Sequence, residues 1–226
     1  AAELRDPHPL FSTAHYLQGN PGVKNSPLNP LRYYLTIGAS EAVDPHTLFS
    51  TNYYIMQKSK SEIIGAPLLD YILHGAREGK SPHPLFDTRF YLAQNPDVAA
   101  SHINPFVHFM KYGWKENRKP TPMFDTAFYR EKYASLLGQE ENPLLHFWFN
   151  GAKLKLDPNR YFDTKSYLLT YSDVNRSGVN PLAHYIEYGS KELRSPSVTF
   201  DSKFYTDKYP DVLSSGLEPL AHFLTI

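Results

Sequence analysis

Apolar and polar positions along this chain follow two periods at once. Within short segments the apolar residues fall at i, i+3, i+4 and i+7. Counted from Pro181, the residues Leu182, Tyr185, Ile186 and Gly189 make one such stripe, and Phe90 and Tyr91 with Val98 make another, the spacing of amphipathic helices. Over longer distances the pattern itself recurs, so that PHPLFDTRFY ending at Tyr91 returns as PTPMFDTAFY ending at Tyr129. The phenylalanine before a Ser or Asp stands at Phe11, Phe49, Phe86, Phe124, Phe162 and Phe200, at intervals of 38, 37, 38, 38 and 38 residues. A tyrosine follows each by five residues: Tyr16, Tyr54, Tyr91, Tyr129, Tyr167 and Tyr205. Pro30, Pro67, Pro105, Pro143, Pro181 and Pro219 form a second anchor, with a glycine eight residues beyond the first five.

Each unit is expected to fold as helix, turn, helix. Ser12, Ser50, Asp87, Asp125, Asp163 and Asp201 suit the N-cap of the first helix, where a side-chain oxygen takes an orphan amide. The words NPDV, YSDV and YPDV, beginning at Asn95, Tyr171 and Tyr209, predict a kink or a fresh short turn, because proline interrupts the helical ladder. Gly178 and Gly216 suit left-handed C-caps. Asn104-Pro105 and Asn180-Pro181 open the second helix as cap and first residue, and the glycine eight residues on is expected to end it. Helices of about 8 to 12 residues are marginal alone, so each unit must stack on its neighbours. The expectation is an all-α, right-handed or open superhelical solenoid of helix-turn-helix repeats of about 38 residues. One repeat domain fills residues 1–226: the tail of a preceding unit at 1–10, repeats at 11–48, 49–85, 86–123, 124–161 and 162–199, and a truncated sixth at 200–226. The chain is thus read as a piece of a longer protein.

Composition narrows function. Lys plus Arg total 23 and balance 23 acidic residues, so no net field favours nucleic acid. No run of about 18 apolar residues exists to span a membrane. The absence of cysteine removes disulfides, thiolate nucleophiles and Cys-type zinc sites.

The segments FYLAQNPDVAASHINPFVHFMKYGWKENRKPTPMFD and NPLAHYIEYGSKELRSP resemble the FYLxxNPDVxxxGxNPLxHYxxxGxxEGRxPSPLFD repeat. That repeat is found beside glycosyltransferase domains in large bacterial proteins for surface-polysaccharide synthesis, some called rhamnan-synthesis proteins, and in some large secreted bacterial proteins. The likeness spans nearly the whole chain. It implies a noncatalytic helical module tethered to a catalytic neighbour, in the bacterial cytoplasm or at the inner face of the membrane, with the cell envelope as the alternative. The chain departs from the pattern at KSKSEIIGAPLLDY in repeat two, one residue short and without NPDV, and at GAKLKLDP in repeat four.

Candidate chemistry was sought against this background. His108, His146, His184 and His222 stand third after the anchor proline, with Tyr33 and Asp70 in the first two repeats. One histidine per stacked unit puts copies roughly 10 Å apart, too far to share an ion. They are therefore expected to be structural, each bonding a backbone carbonyl or a neighbouring Asp, as Tyr91, Tyr129, Tyr167 and Tyr205 are expected to be packing residues. Glu78, Glu116 and Glu192 are expected to pair with bases such as Arg118 or Arg194. There is no phosphate loop, DxD pair, GxSxG elbow, HExxH or calcium nonapeptide, so no catalytic residue, metal or cofactor is assigned. Two readings from different classes follow. The first is a scaffold or protein-interaction solenoid serving a protein partner or flanking catalytic domain. The alternative is a carbohydrate-binding module for a bacterial surface polysaccharide. Trp114, where other repeats have Ala39, Ala76, Ala152 and Ser190, and Phe149 break the repeat rule. They are the candidate ligand or partner contacts, and each has a competing reading as a filler of a local packing gap.

Overall fold

The computed structural model describes residues 5–226; residues 1–4 of the expected leading tail lie outside the described residues. The protein is all-helical, and among the described residues the extended structure consists of isolated bridges such as His83 with Phe86. Two compact units divide at the third repeat, Ala1–Tyr112 and Gly113–Ile226, and each is built from the same parts.

The first helix of a repeat is short: Thr13–Gly19, Thr51–Met56, Thr88–Gln94, Thr126–Lys132, Thr164–Thr170 and Ser202–Lys208. All six expected caps are present, each accepting the amide three residues on, as Asp87 does from Phe90 at 3.0 Å. A new helix follows at Pro96–Ser101, Ser172–Ser177 and Asp211–Ser215. Gly178 and Gly216 close the last two in the left-handed region, at φ +70° and +71°. A unit is therefore not a helix-turn-helix of two 8- to 12-residue pieces but three shorter ones, since proline or the cap chemistry restarts the ladder each time. Repeat two, lacking NPDV, makes instead a 3₁₀ turn at Lys60–Glu62 with a reciprocal Ser59–Glu62 capping box.

The proline-started helix corrects one expectation. Asn29, Asn104, Asn142 and Asn180 do cap it, but the glycine does not end it. After one α-turn, as at Pro181–His184, the helix widens into a π-turn at Tyr34–Gly38, Tyr71–Gly75, Phe109–Gly113, Phe147–Gly151 and Tyr185–Gly189. The reason for glycine is contact: a Cβ on Gly38, Gly75 or Gly189 would lie 2.0, 2.1 or 2.3 Å from the hydroxyl of Tyr16, Tyr54 or Tyr167. The bare backbone is the seat of the tyrosine of the first helix. The chain turns away four residues later, at Ala42, Gly79, Asn117, Lys155 and Leu193, all with positive φ. There the amide five residues past each glycine returns to its carbonyl, for instance Arg194 to Gly189 at 2.8 Å. GAKLKLDP follows the same path, with Leu156 donating to Gly151 at 2.8 Å.

The core is a triad of rings in every repeat. Phe86, Tyr91 and Phe109 have centroids 5.1, 5.7 and 5.9 Å apart. The tyrosine meets the third ring edge-on in all six repeats, at interplanar angles of 84, 82, 84, 86, 84 and 88°, the arrangement that opposes ring edge to ring face. Hydrogen bonds then tie one repeat to the next within each unit. Ser12 and Ser50 donate their amides to the carbonyls of Pro45 and Pro82, and Asp125 and Asp163 to those of Pro158 and Pro196, at 2.9 to 3.1 Å. The buried Tyr34 hydroxyl accepts from the Leu68 amide at 3.1 Å.

Because a side chain at φ near +54° strains the backbone by about 1–2 kcal/mol relative to glycine, Lys155→Gly should stabilise the protein by about 1 kcal/mol and Gly79→Ala should destabilise it by about as much. Urea unfolding of the two variants checks this; changes of the same sign would contradict the turn geometry.

Candidate functional site

The structural residues chosen from the sequence find one another. Tyr91, Tyr129, Tyr167 and Tyr205 place their hydroxyls 2.9, 2.8, 3.0 and 3.0 Å from Nδ1 of His108, His146, His184 and His222. The histidine partner is thus the tyrosine hydroxyl of the same repeat, not the backbone carbonyl or aspartate expected, because glycine lets that hydroxyl reach the π-turn. Burial pushes the Tyr129 and Tyr167 phenols above their ordinary range, and burial followed by Arg194 lowers the His184 imidazole. Both members are then neutral near pH 7, as a buried hydrogen-bonded pair requires.

The two repeats without histidine diverge. In repeat two the Tyr54 hydroxyl donates to Asp70, whose other oxygen accepts from the Ile64 amide at 3.0 Å. Lys58, its side chain buried, pairs with Asp70 at 2.9 Å and with Glu78 at 3.0 Å. Burial pulls the Lys58 ammonium down, but its hydrogen bonds to both carboxylates outweigh that and raise it above its ordinary value, so the amine stays protonated and is no nucleophile. In repeat one the register residue is Tyr33, and the buried Tyr16 hydroxyl has no hydrogen-bond partner. The other expected pairs form: Glu116 with Arg118 and Glu192 with Arg194, each at 2.5 Å. Arg194 also pairs with Asp173 at 2.8 Å and lies 4.9 Å from the Tyr171 ring centre; its hydrogen bond holds the Asp173 carboxyl down to about 2. Among the described residues no group of three or more His, Asp or Glu is placed to hold a metal ion.

A second set of histidines escaped the sequence reading. His8, His46 and His83 open the turn before each core phenylalanine, their Nδ1 accepting the amides of Leu10, Leu48 and Leu85 at 3.1, 3.0 and 3.1 Å. Burial depresses His46 to about 4, with His15 adding to the effect and Asp6 opposing it; burial and then His46 depress His83 to about 3. At the equivalent position Asn159 makes the turn without titrating, accepting from Tyr161 at 2.8 Å and Phe162 at 3.0 Å.

The surface feature that recurs is a groove at repeat junctions. It lies between the residue nine past one anchor proline and the next repeat's anchor proline: Ala39 to Pro67, Ala76 to Pro105, and Ser190 to Pro219. Each is also lined by the residue after the core tyrosine, Ile55, Leu92 or Thr206. Trp114 occupies this small-residue position in repeat three. Its indole is only 6% exposed, with Lys115 5.2 Å and Arg130 6.0 Å from the ring centre, and Arg130 bonds the carbonyl of Lys115 at 3.2 Å and the Asn117 side chain at 3.1 Å. Trp114 is therefore buried rather than an accessible platform, while Phe149 is 52% exposed. The departure of Trp114 from Ala39, Ala76 and Ser190 was the sequence signal; that these small residues leave space needed the packing.

No protein family, curated protein or solved structure matches the chain.

Two outcomes test this geometry. Tyr129→Phe strands buried His146 and should cost about 1–3 kcal/mol, whereas Tyr16→Phe removes an unpartnered hydroxyl and should be neutral or stabilising; equal losses in thermal unfolding would contradict the pairing. For pH, the unfolded histidines titrate near 6.5. Above that value both states are neutral, and below it the unfolded chain binds protons that folded His46 and His83 refuse. Stability should fall by up to about 1.4 kcal/mol per pH unit for each histidine as pH drops from about 6.5 towards about 4. His83→Asn should flatten that slope in urea titrations, and an unchanged slope would show that this histidine titrates normally.

Proposed function

We propose that the chain is a noncatalytic helical-repeat solenoid, a scaffold that holds a protein partner or a flanking catalytic domain. The observation that carries this reading is the division of labour among residues. Phe, Tyr, His, Pro and Gly that recur are engaged in the ring triads, tyrosine–histidine bonds and π-turns, while the residues that vary between repeats line the junction grooves. Repeat-to-repeat bonds such as Ser50 to Pro82 and Asp125 to Pro158 support stacking of consecutive units, and stacked units offer extended surface. The resemblance of the repeat supports a setting in a larger bacterial glycosyltransferase or polysaccharide-synthesis protein. Protonated Lys58 and the paired Asp173, Glu116 and Glu192 are consistent with the absence of catalysis in this chain.

The exposed ring of Phe149 favours the second reading, binding of a surface polysaccharide. No helix of the described residues is long and apolar enough to cross a membrane.

Small-angle scattering and glycan titration test the proposal together. A compact chain of this length has a radius of gyration of about 17 Å; the solenoid should exceed about 20 Å, and the compact value would overturn it. Neither short nor long fragments of the producing organism's polysaccharide should bind. Saturable, length-dependent binding lost in a folded Phe149→Ala variant would replace the scaffold with the carbohydrate-binding module.

A further inference from the structure

We infer that the groove beside Ala76 is a docking site for a tryptophan side chain of an acidic partner peptide. The inference deepens the scaffold reading and rests on it. The argument starts from Trp114, because the protein itself shows what fills this groove. At that junction the bulky residue stands nine past the anchor proline and is buried, and the next residue, Lys115, sets its ammonium 5.2 Å from the ring centre while pairing with Glu140 at 2.5 Å. The environment therefore combines an apolar slot, a cation against the indole and a carboxylate on that cation.

The Ala76 groove keeps the first two and lacks the others. Its walls are Ile72, Leu92, Val98 and Ile103, with Ala76 where the indole would root. Arg77 stands where Lys115 stands, immediately after the small residue, and lines the groove. No carboxylate lines it, so charge complementarity calls for an incoming acid beside the incoming ring. The cavity, about 250 Å³, falls below the roughly 300–1,000 Å³ of small-molecule sites and suits one anchored side chain. Tryptophan is also the residue most enriched at such anchors, where it fills a desolvated pocket. The Ala39 groove has no lining charge and the Ser190 groove sets Glu218 beside Lys191, so Ala76 is the site that selects for an acidic peptide.

Amide chemical-shift titration of the full chain tests this with the peptide acetyl-Glu-Trp-Glu-amide. The expected result is saturable shifts at Ala76, Arg77 and Ile103 with a Kd on the order of 1 mM, as a single anchor supports. The Glu-Ala-Glu peptide should produce none. Ala76→Trp, which supplies its own plug, should abolish the shifts with the helical circular dichroism unchanged. Should that variant not fold, Arg77→Glu, an exposed change, should weaken the peptide about tenfold. No saturation up to about 10 mM, equal shifts from the alanine peptide or from an unbranched oligosaccharide, or undiminished binding in a folded Ala76→Trp or Arg77→Glu would overturn the inference. Such a failure leaves the scattering profile and the glycan titration where they stand, so it removes this groove without removing the scaffold.

Discussion

The structure depends on the seating of one tyrosine hydroxyl against one glycine. In each complete repeat the first helix sends a tyrosine into the second, and the second is opened into a π-turn whose glycine has no Cβ to obstruct the approach. That contact sets how close the helices lie, and closeness lets the three rings meet at 5 to 6 Å with the tyrosine edge-on to the third. A buried hydroxyl then needs a partner, which is why the position three past the anchor proline carries His108, His146, His184 and His222, or Asp70 with its own counter-ion Lys58. The residues of the repeat word are thus linked through one geometric requirement.

The departures obey the same constraint. Asp70 would be an uncompensated buried charge, and Lys58 and the Ile64 amide answer it, at a place where the missing NPDV residue reroutes the chain through Lys60–Glu62. Breaking such a buried pair is more costly than its net contribution suggests, so the deletion, Asp70 and Lys58 form a unit. The first repeat lacks this answer and leaves the Tyr16 hydroxyl unpartnered. The turn position before each core phenylalanine shows equal tolerance: His46, His83 and Asn159 differ in titration but supply the same acceptor to the amide two residues on.

Much of this was legible in the sequence and some was not, for identifiable reasons. Caps, proline starts and the glycines at 178 and 216 are local, governed by groups within a few residues, and they form as the spacing predicts. The glycine at the end of the anchor helix was misread because a helix-ending glycine and a glycine admitting a side chain from another helix look identical in one dimension; the partner stands 22 residues earlier, as Tyr167 does from Gly189. The histidine partner was missed for the same reason, being 17 residues away in the chain. Helix lengths were overestimated because apolar periodicity runs through Pro96 and Ser172 even though the hydrogen-bond ladder does not.

Trp114 shows how variation becomes interpretable once the constraint is known. Positions tied to the tyrosine–glycine contact tolerate little, since a single Cβ would clash at about 2 Å. The position nine past the anchor proline is different: it carries Ala39, Ala76, Trp114, Ala152 and Ser190 in otherwise similar repeats, so the junction accepts either a small residue or an indole without changing the path of the chain. A site that accepts both is a space whose filling is optional for folding. Where the filling is internal, Trp114 and its cations close the junction; where it is not, the groove remains with its apolar walls. The fold thus separates residues that make the repeat from residues that distinguish one repeat from another, and specificity in a repeat protein has to be written in the second set.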